Sequence, residues 1–478
     1  MTSIEEQFEL LVQQRMKRFQ LLLDKAEFDF KQYQYDGVEW CIRNELRPDP
    51  PGNVRGGFIA DEMGLGKTIT MIGTMICNFL NKTLIVVPPV LVKQWYKEIL
   101  RTSGHKTVLY YGLKKKTISI ADLDKAHIVL TTYGTLLAPD CLLKRVQWNR
   151  AIFDEAHHMR NSKTKRFRSC KEIKARVRWL VTGTPVQNKK QDFYNLCCAA
   201  NINPENDNEV KQFVLRRTKA SVGIQLPAMV LEPRVVAWKD HTEMMLSEEI
   251  HSLIPAQTGV SLEKQQRLAE IWEKGGTLVA MLRAKQSCIL PVLMRKTMEM
   301  FVRRGLIDKS YLDGLVSTSK LDAIIDVILE RKDNGRGKII FCHYREEIDT
   351  IADRLKKGGL LKVVCYDGRN SGGKNLALLA EPADALIIQI QTGCEGLNLQ
   401  EHFSEIYFVS PHWNPRVEDQ AIARCHRIGQ KEPVSVFKFE MAGFEKEEQE
   451  QEDPISLEKY INKVQDMKRG FGNEVLGE

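Results

Sequence analysis

Nowhere does the 478-residue sequence hold an apolar run approaching the ~18 residues of a membrane-spanning helix, so none is expected. Met1 to Gln20 is laced with glutamate and arginine and lacks an apolar stretch, so no secretory signal is expected there. The 11 cysteines are scattered, odd in number and never spaced C-x-x-C. That argues against a structural zinc site and for free thiols in a reducing compartment. No repeat period is visible, which sets solenoids and propellers aside. Charge of one sign is scarce too: 70 Lys and Arg against 62 Asp and Glu leave +8. Such an excess permits a polyanionic partner without demanding one. What remains is an ordinary globular composition, 43% hydrophobic and 28% charged, with ample length for a sizeable core.

From Phe30 to about Val236, short β-branched runs alternate with helical stretches. The runs are Gly57–Ala60, Leu84–Val87, Thr107–Tyr111, Ile128–Thr131, Ala151–Phe153 and Trp179–Thr182. Continuous apolar strands separated by helices predict a parallel sheet covered on both faces. Upstream, Phe8, Leu11, Met16, Phe19 and Leu22 have roughly helical spacing. Beyond Val236 the strand signals fade as far as Leu315, and Thr242–Leu253 and Leu262–Met281 read as helices. Strands return at Lys338–Phe341, Lys362–Tyr366, Ala385–Gln389, Ile406–Val409 and Val434–Phe439. An acidic run, Glu445 to Asp453, reads as a solvated loop, and Ile455–Lys468 as a terminal helix. The expected organisation is α/β throughout: an N-terminal helix (residues 1–29), a first parallel-sheet lobe (30–235), a helical protrusion or linker (236–315) and a second lobe (316–478).

Gly64-Leu65-Gly66-Lys67-Thr68 follows the first strand and precedes a helical run. Glycines let backbone N–H groups curl around a phosphate, the lysine ammonium reaches the β/γ-phosphates, and the threonine hydroxyl ligates Mg²⁺. The generic pattern has glycine six residues before the lysine; this chain has Asp61 there, and a chance glycine turn is the alternative. Next, the apolar run Ala151-Ile152-Phe153 leads into Asp154-Glu155-Ala156-His157. A strand ending in two carboxylates can hold Mg²⁺ on the first and orient and deprotonate water with the second. The alternative is a strand followed by an acidic cap. Finally, Arg424 and Arg427 flank His426; three apart on a helix, they share a face and can stabilise charge on a γ-phosphate, or simply make surface ion pairs.

Taken together, these motifs resemble the SWI/SNF-type family of helicase-related, DNA-translocating ATPases, within helicase superfamily two. The residues that carry the resemblance are Gly56 to Thr68, Asp-Glu-Ala-His at 154–157, Thr182-Gly183-Thr184-Pro185 with Asn188, and Trp413-Asn414-Pro415 leading to His426-Arg427-Ile428-Gly429-Gln430. They run from about Phe30 to about Lys468, and Asp61 is the usual residue in this family's version of the phosphate loop.

The resemblance implies two RecA-like lobes and a compact motor using ATP and Mg²⁺. It implies nucleotide contacts from Gln34 and from Asp61, Glu62, Met63, Gly64, Leu65, Gly66, Lys67 and Thr68, with Gln34 reading the adenine edge. Thr68 and Asp154 would hold the metal. Lys67, Asp154, Glu155, Arg424 and Arg427 would be catalytic. Nucleic-acid contacts are implied for Thr131 and Thr132, for Trp95 downstream of Leu84–Pro89, and for His343, Gly396, Asn398, Trp413 and Asn414. The residues themselves leave alternatives: a surface position for Gln34, a β-branched strand end for the threonines, a buried anchor for Trp413. The implied partner is double-stranded DNA gripped by its backbone, without sequence reading and without a membrane, inside the cell, in the nucleus or wherever that DNA resides; a larger nucleoprotein or transcription complex is a further implied partner. Compact members occur among large DNA viruses as well as in cells. The competing readings are a strand-separating DNA or RNA helicase, a transcription-coupled ATPase acting on polymerase, and a non-hydrolysing clamp.

Overall fold

A computed structural model describes residues 3–183, 190–251, 254, 276–305, 308–360, 362–369, 383–393, 397–444 and 456–476. Two compact units emerge, Met1–Gln225 and Leu226–Phe471.

The first unit is built on strands β1 (Gly56–Ile59), β2 (Thr83–Val87), β3 (Thr107–Tyr110), β4 (Ile128–Thr132), β5 (Trp148–Asp154), β6 (Ala175–Val181) and β7 (Val214–Leu215), in the order β3-β4-β2-β5-β6-β1-β7. All pairings are parallel. Alternate residues feed two cores, as a period of two requires. Phe58, Leu84, Val86, Phe153 and Leu180 face one side. Ile59, Ile85, Val87, Ile152, Trp179 and Val181 face the other. Onto that second face the N-terminal helix Ile4–Ala26 presses Val12, Met16, Phe19 and Leu22. Residues 1–29 therefore share the first unit's core. Val181 lies opposite both Ile59 and Asp154, so β1, β5 and β6 end side by side. Ligands of parallel sheets bind at such carboxyl edges.

The second unit carries β8 (Met229–Val236), β9 (Gly337–Cys342), β10 (Val363–Tyr366), β11 (Ala385–Gln389), β12 (Phe403–Phe408) and β13 (Val434–Met441), ordered β10-β11-β9-β12-β13-β8 and again parallel. The boundary expected after residue 235 moves upstream here. β8 pairs with β13 along its whole length, from Met229 opposite Val434 to Val236 opposite Met441. Hydropathy reveals a strand but not which sheet it joins, and Pro233 suits an edge position. Helices His241–His251, Gly276–Ile289 and Arg295–Arg303 pack Leu246, Ile250, Ala284, Met298 and Phe301 with Leu457 and Ile461 of the terminal helix Leu457–Leu476. The expected protrusion is thus part of the second unit's core. The acidic run 445–453 lies outside the described residues, as does the start of the helix expected over Leu262–Met281. Among the described residues no helix is long and apolar enough to cross a membrane.

Candidate nucleotide site and second-unit strand ends

The loop after β1 is shaped by Gly64 (φ +93°) and Gly66 (φ +80°), in the left-handed region that glycine enters without strain. A Cβ on Gly66 would stand 2.7 Å from Gln34 Nε2, so Gln34, buried on the helix Gln32–Leu46, lies against the loop. That helix is moored by the buried Glu45 carboxylate, which accepts from Arg150 of β5, Trp179 of β6 and Asn78. The helix Lys67–Cys77 begins directly after the loop, so its first-turn N–H groups are free to meet an anion. Lys67 Nζ donates to the carbonyls of Asp61 (2.9 Å) and Glu62 (3.3 Å), folded over its own loop. Gly183 closes that side: a Cβ there would lie 3.2 Å from Lys67 Nζ and 2.9 Å from Met63 Cγ. Leu65 is buried, and Thr68 stands on the helix's first turn.

Asp61 departs from its expected role. Its carboxylate is fully buried and takes two hydrogen bonds from Arg217, one of 3.0 Å, while Arg217 also donates to the Tyr33 carbonyl. A side chain so enclosed cannot meet a nucleotide; it ties the loop to the segment after β7. Glu62 does the same, accepting from Lys219 Nζ (2.8 Å) and the Lys219 N–H (2.7 Å). Burial pushes the Glu62 carboxyl up, but the Lys219 bonds outweigh it and hold it below the usual range. Arg216 donates to the Ala60 carbonyl. Sequence reasoning missed this role of Arg216, Arg217 and Lys219. The available signal was a basic run matched to two loop carboxylates.

At the end of β5, Asp154 is buried; its Oδ2 accepts from Trp95 Nε1 (2.7 Å) and its Oδ1 from the Glu155 N–H (2.9 Å). Burial foremost, then the Glu155 charge, push the Asp154 carboxyl up to about 7 despite those bonds. Glu155 sits at φ +49°, unusual for a residue with a side chain. Its Oε2 is 3.2 Å from His157 Nδ1, which lies 3.4 Å from Thr182 Oγ1 at the end of β6. One buried carboxylate and one nearby hydroxyl suit Mg²⁺, which takes few protein ligands and completes its shell with water and phosphate. Among the described residues no cluster of three or more His, Cys, Asp or Glu forms an all-protein metal cage. Trp95, expected at a nucleic-acid contact, is instead buried in this site. Thr131 and Thr132 are corrected likewise. Thr131 is buried with its hydroxyl on the Tyr110 carbonyl (2.6 Å); Thr132 is buried, caps the helix Tyr133–Leu136 and meets the Thr135 hydroxyl. Strand-end threonines satisfy neighbouring backbone more readily than a distant ligand. Thr184, Pro185 and Asn188 lie outside the described residues.

In the second unit, the helix Pro415–Ile422 ends before Arg424, so Arg424 and Arg427 occupy the following turns and share no helix face. Cys425 Sγ and Gln430 Nε2 both donate to the Phe403 carbonyl, pinning that turn to β12. Arg427 donates to Asn398 Oδ1 (2.5 Å); burial, then the Arg424 charge, hold its guanidinium below the usual range. His343, after β9, is partly buried, with Nε2 3.1 Å from the Ser410 carbonyl and 3.3 Å from Lys285 Nζ. Burial and the Lys285 charge keep it neutral. The carbonyls that follow accept in turn from Lys285 (Pro411, 2.7 Å), Gln465 (His412, 2.5 Å) and Lys468 (Trp413, 2.8 Å). Trp413 packs on the helical core and Asn414 caps the next helix through the Arg416 N–H. His343, Trp413 and Asn414 therefore serve the unit's own architecture, and the anchor alternative for Trp413 is the one realised. Gly396 lies outside the described residues.

Comparison with known proteins supplies the context. Residues 33–210 match the SNF2-related domain, and residues 319–429 the helicase conserved C-terminal domain. A protein of Orgyia pseudotsugata multicapsid polyhedrosis virus, described as a probable global transactivator, is 27% identical across 93% of this chain and 91% of its own length. The ATP-dependent DNA helicase DDM1 of Arabidopsis thaliana is 26% identical across 86% of this chain and 59% of its own. Among solved structures, the Hef helicase domain of Pyrococcus furiosus shares the fold, with a TM-score of 0.54 at 16% identity over 86% of this chain and 95% of that one.

Proposed function

The chain belongs to the SNF2-related family of helicase-type, nucleic-acid-dependent ATPases, and from that premise we propose that it is a motor that moves along double-stranded DNA without reading its sequence. One observation carries the catalytic half of this reading: Lys67, Asp154, Glu155 and Thr182 emerge from strands that end abreast. In this reading Lys67 exchanges its loop carbonyls for the β/γ-phosphates, and first-turn N–H groups of the helix Lys67–Cys77 hold the phosphate oxygens. Gln34, beside the loop, meets the adenine edge. Mg²⁺ held by Thr68 and Asp154 offsets phosphate charge. Glu155 orients the attacking water and takes its proton, steadied by His157. Arg424 and Arg427 stabilise charge on the transferred phosphoryl group. DNA as partner is supported by the Arabidopsis relative, which is described as a DNA helicase. That name also keeps strand separation as the second reading.

The test is the ATPase rate with no nucleic acid, duplex DNA, single-stranded DNA and RNA at fixed salt, followed by strand and triplex displacement. Stimulation by duplex with third-strand displacement alone is expected. Stimulation chiefly by single strands or RNA, or duplex unwinding, moves the assignment to a helicase.

A further inference from the structure

Thr131, Thr132 and Trp95 are enclosed within the first unit, which leaves it without the polyanion contacts the family resemblance suggested. A different part of the same carboxyl edge is dressed for that task. After Glu155 the chain turns through Ala156–Met159 and enters the helix Lys165–Lys171. Lys163, Lys165, Arg168 and Lys171 are exposed there, and Asp or Glu is absent from Ala156 to Lys171. No carboxylate stands within ion-pair distance of these four cations among the described residues. The opposite face of the helix buries Phe167 and Cys170 in the sheet's core, so the cations are held on a packed element.

Arg166, on the same helix, points inward. Its Nε is buried without a hydrogen-bond partner, and its Nη1 lies 3.4 Å from His158 Nδ1. The His158 ring stacks on His157 (centroids 4.8 Å, planes 26° apart) and meets Tyr133 at 5.4 Å. His157 Nδ1 is 3.2 Å from Glu155 Oε2. A continuous line of contacts thus runs from the basic helix to the carboxylate assigned to water activation.

We propose that residues 163–171 grip a nucleic-acid phosphate backbone, and that Arg166, acting through His158 and His157, positions Glu155 when that grip is occupied. This rests on the motor reading above and adds to it where the first unit holds its track and how holding it speeds hydrolysis. Exposed cations on a rigid helix suit phosphate, which fixes position without reading sequence. Arg166 and His158 are positioning residues: neither reaches the phosphates of the nucleotide in this reading.

The experiment measures duplex affinity by fluorescence anisotropy across salt, and ATPase with and without duplex, in three proteins. Lys163→Gln/Lys165→Gln/Arg168→Gln should bind duplex about tenfold more weakly, with a log K against log salt slope shallower by ~2–3. Arg166→Ala should bind duplex within about twofold of wild type yet lose at least about tenfold in DNA-stimulated kcat at little-changed KM for ATP. His158→Ala should behave alike, and the double variant should be no worse than either single one, because two residues in one line of coupling are not additive. A merely structural role would instead lower the thermal midpoint and add in the double variant; unchanged melting of all variants is checked first. Wild-type affinity and slope in the triple variant would overturn the grip, and full stimulation or additive losses in the Arg166 and His158 variants the relay. A wild type that binds duplex but is stimulated by RNA alone would overturn the motor reading while leaving the grip, as a phosphate contact, to the salt slope. A wild type that binds no nucleic acid would remove both.

Discussion

Trp95→Phe isolates one hydrogen bond in the nucleotide site. The indole N–H donates to Asp154 Oδ2 at 2.7 Å, inside a site where burial and Glu155 have already driven the Asp154 carboxyl up to about 7. A hydrogen bond to a charged group contributes ~1.5–3 kcal/mol. Its loss therefore raises that carboxyl by a further ~1–2 pH units. The sign follows directly. A protonated carboxyl cannot hold a metal, so activity falls as the pH drops through this value and the variant's fall begins at higher pH. With half of the wild-type Asp154 ionised near pH 7, the variant retains on the order of a tenth to a hundredth ionised, a loss of about 5- to 50-fold. Metal and proton compete for the same oxygens, so raising Mg²⁺ should restore much of the rate. The assay is steady-state ATPase from pH 6 to 9 at limiting and saturating Mg²⁺, at a temperature where melting curves show both proteins folded. A variant profile superposable on wild type at limiting Mg²⁺ would refute the assigned partnership of Trp95 and Asp154.

Glu155→Gln and Lys67→Ala should each abolish turnover, but only the glutamine variant should keep its affinity for ATP, because its phosphate loop is intact; equilibrium binding of a fluorescent nucleotide separates them. Gly183→Ala places a methyl group 3.2 Å from Lys67 Nζ and 2.9 Å from Met63 Cγ. With overpacking costing ~1–3 kcal/mol, KM for ATP should rise about fivefold or more, and an unchanged KM would show that the loop yields freely. Lys320→Met strips the partner from Glu458, in a pair buried to 1% and 0% side-chain exposure. Breaking it should cost ~3–5 kcal/mol, whereas Lys320→Met/Glu458→Met should recover much of that; equal melting temperatures for single and double variants would contradict the uncompensated-charge argument.

Much of the catalytic chemistry was legible in residue order. A strand, a glycine turn and a lysine-threonine helix start need only local geometry to suggest phosphate binding. An apolar strand ending in Asp154-Glu155 needs only the period of two. The two parallel sheets likewise followed from β-branched runs alternating with helices, since each run is buried on both faces. Side-chain partnership was not legible. Asp61 pairs with Arg217, Trp95 with Asp154 and Arg166 with His158. No period or propensity in the chain links positions that only packing brings together. Burial also reassigned residues of the right type. Thr131, Thr132 and Trp413 are compatible with a polyanion, but tertiary packing turns them inward, and a hydroxyl or indole enclosed in a core must find its hydrogen bond there. The sheet to which β8 belongs was settled the same way, by a partner strand far along the chain. The sequence by itself determined which groups can do chemistry; the tertiary structure decided which of them are exposed to do it and which hold the others in place, because exposure and contact are properties of the packed chain and not of its order.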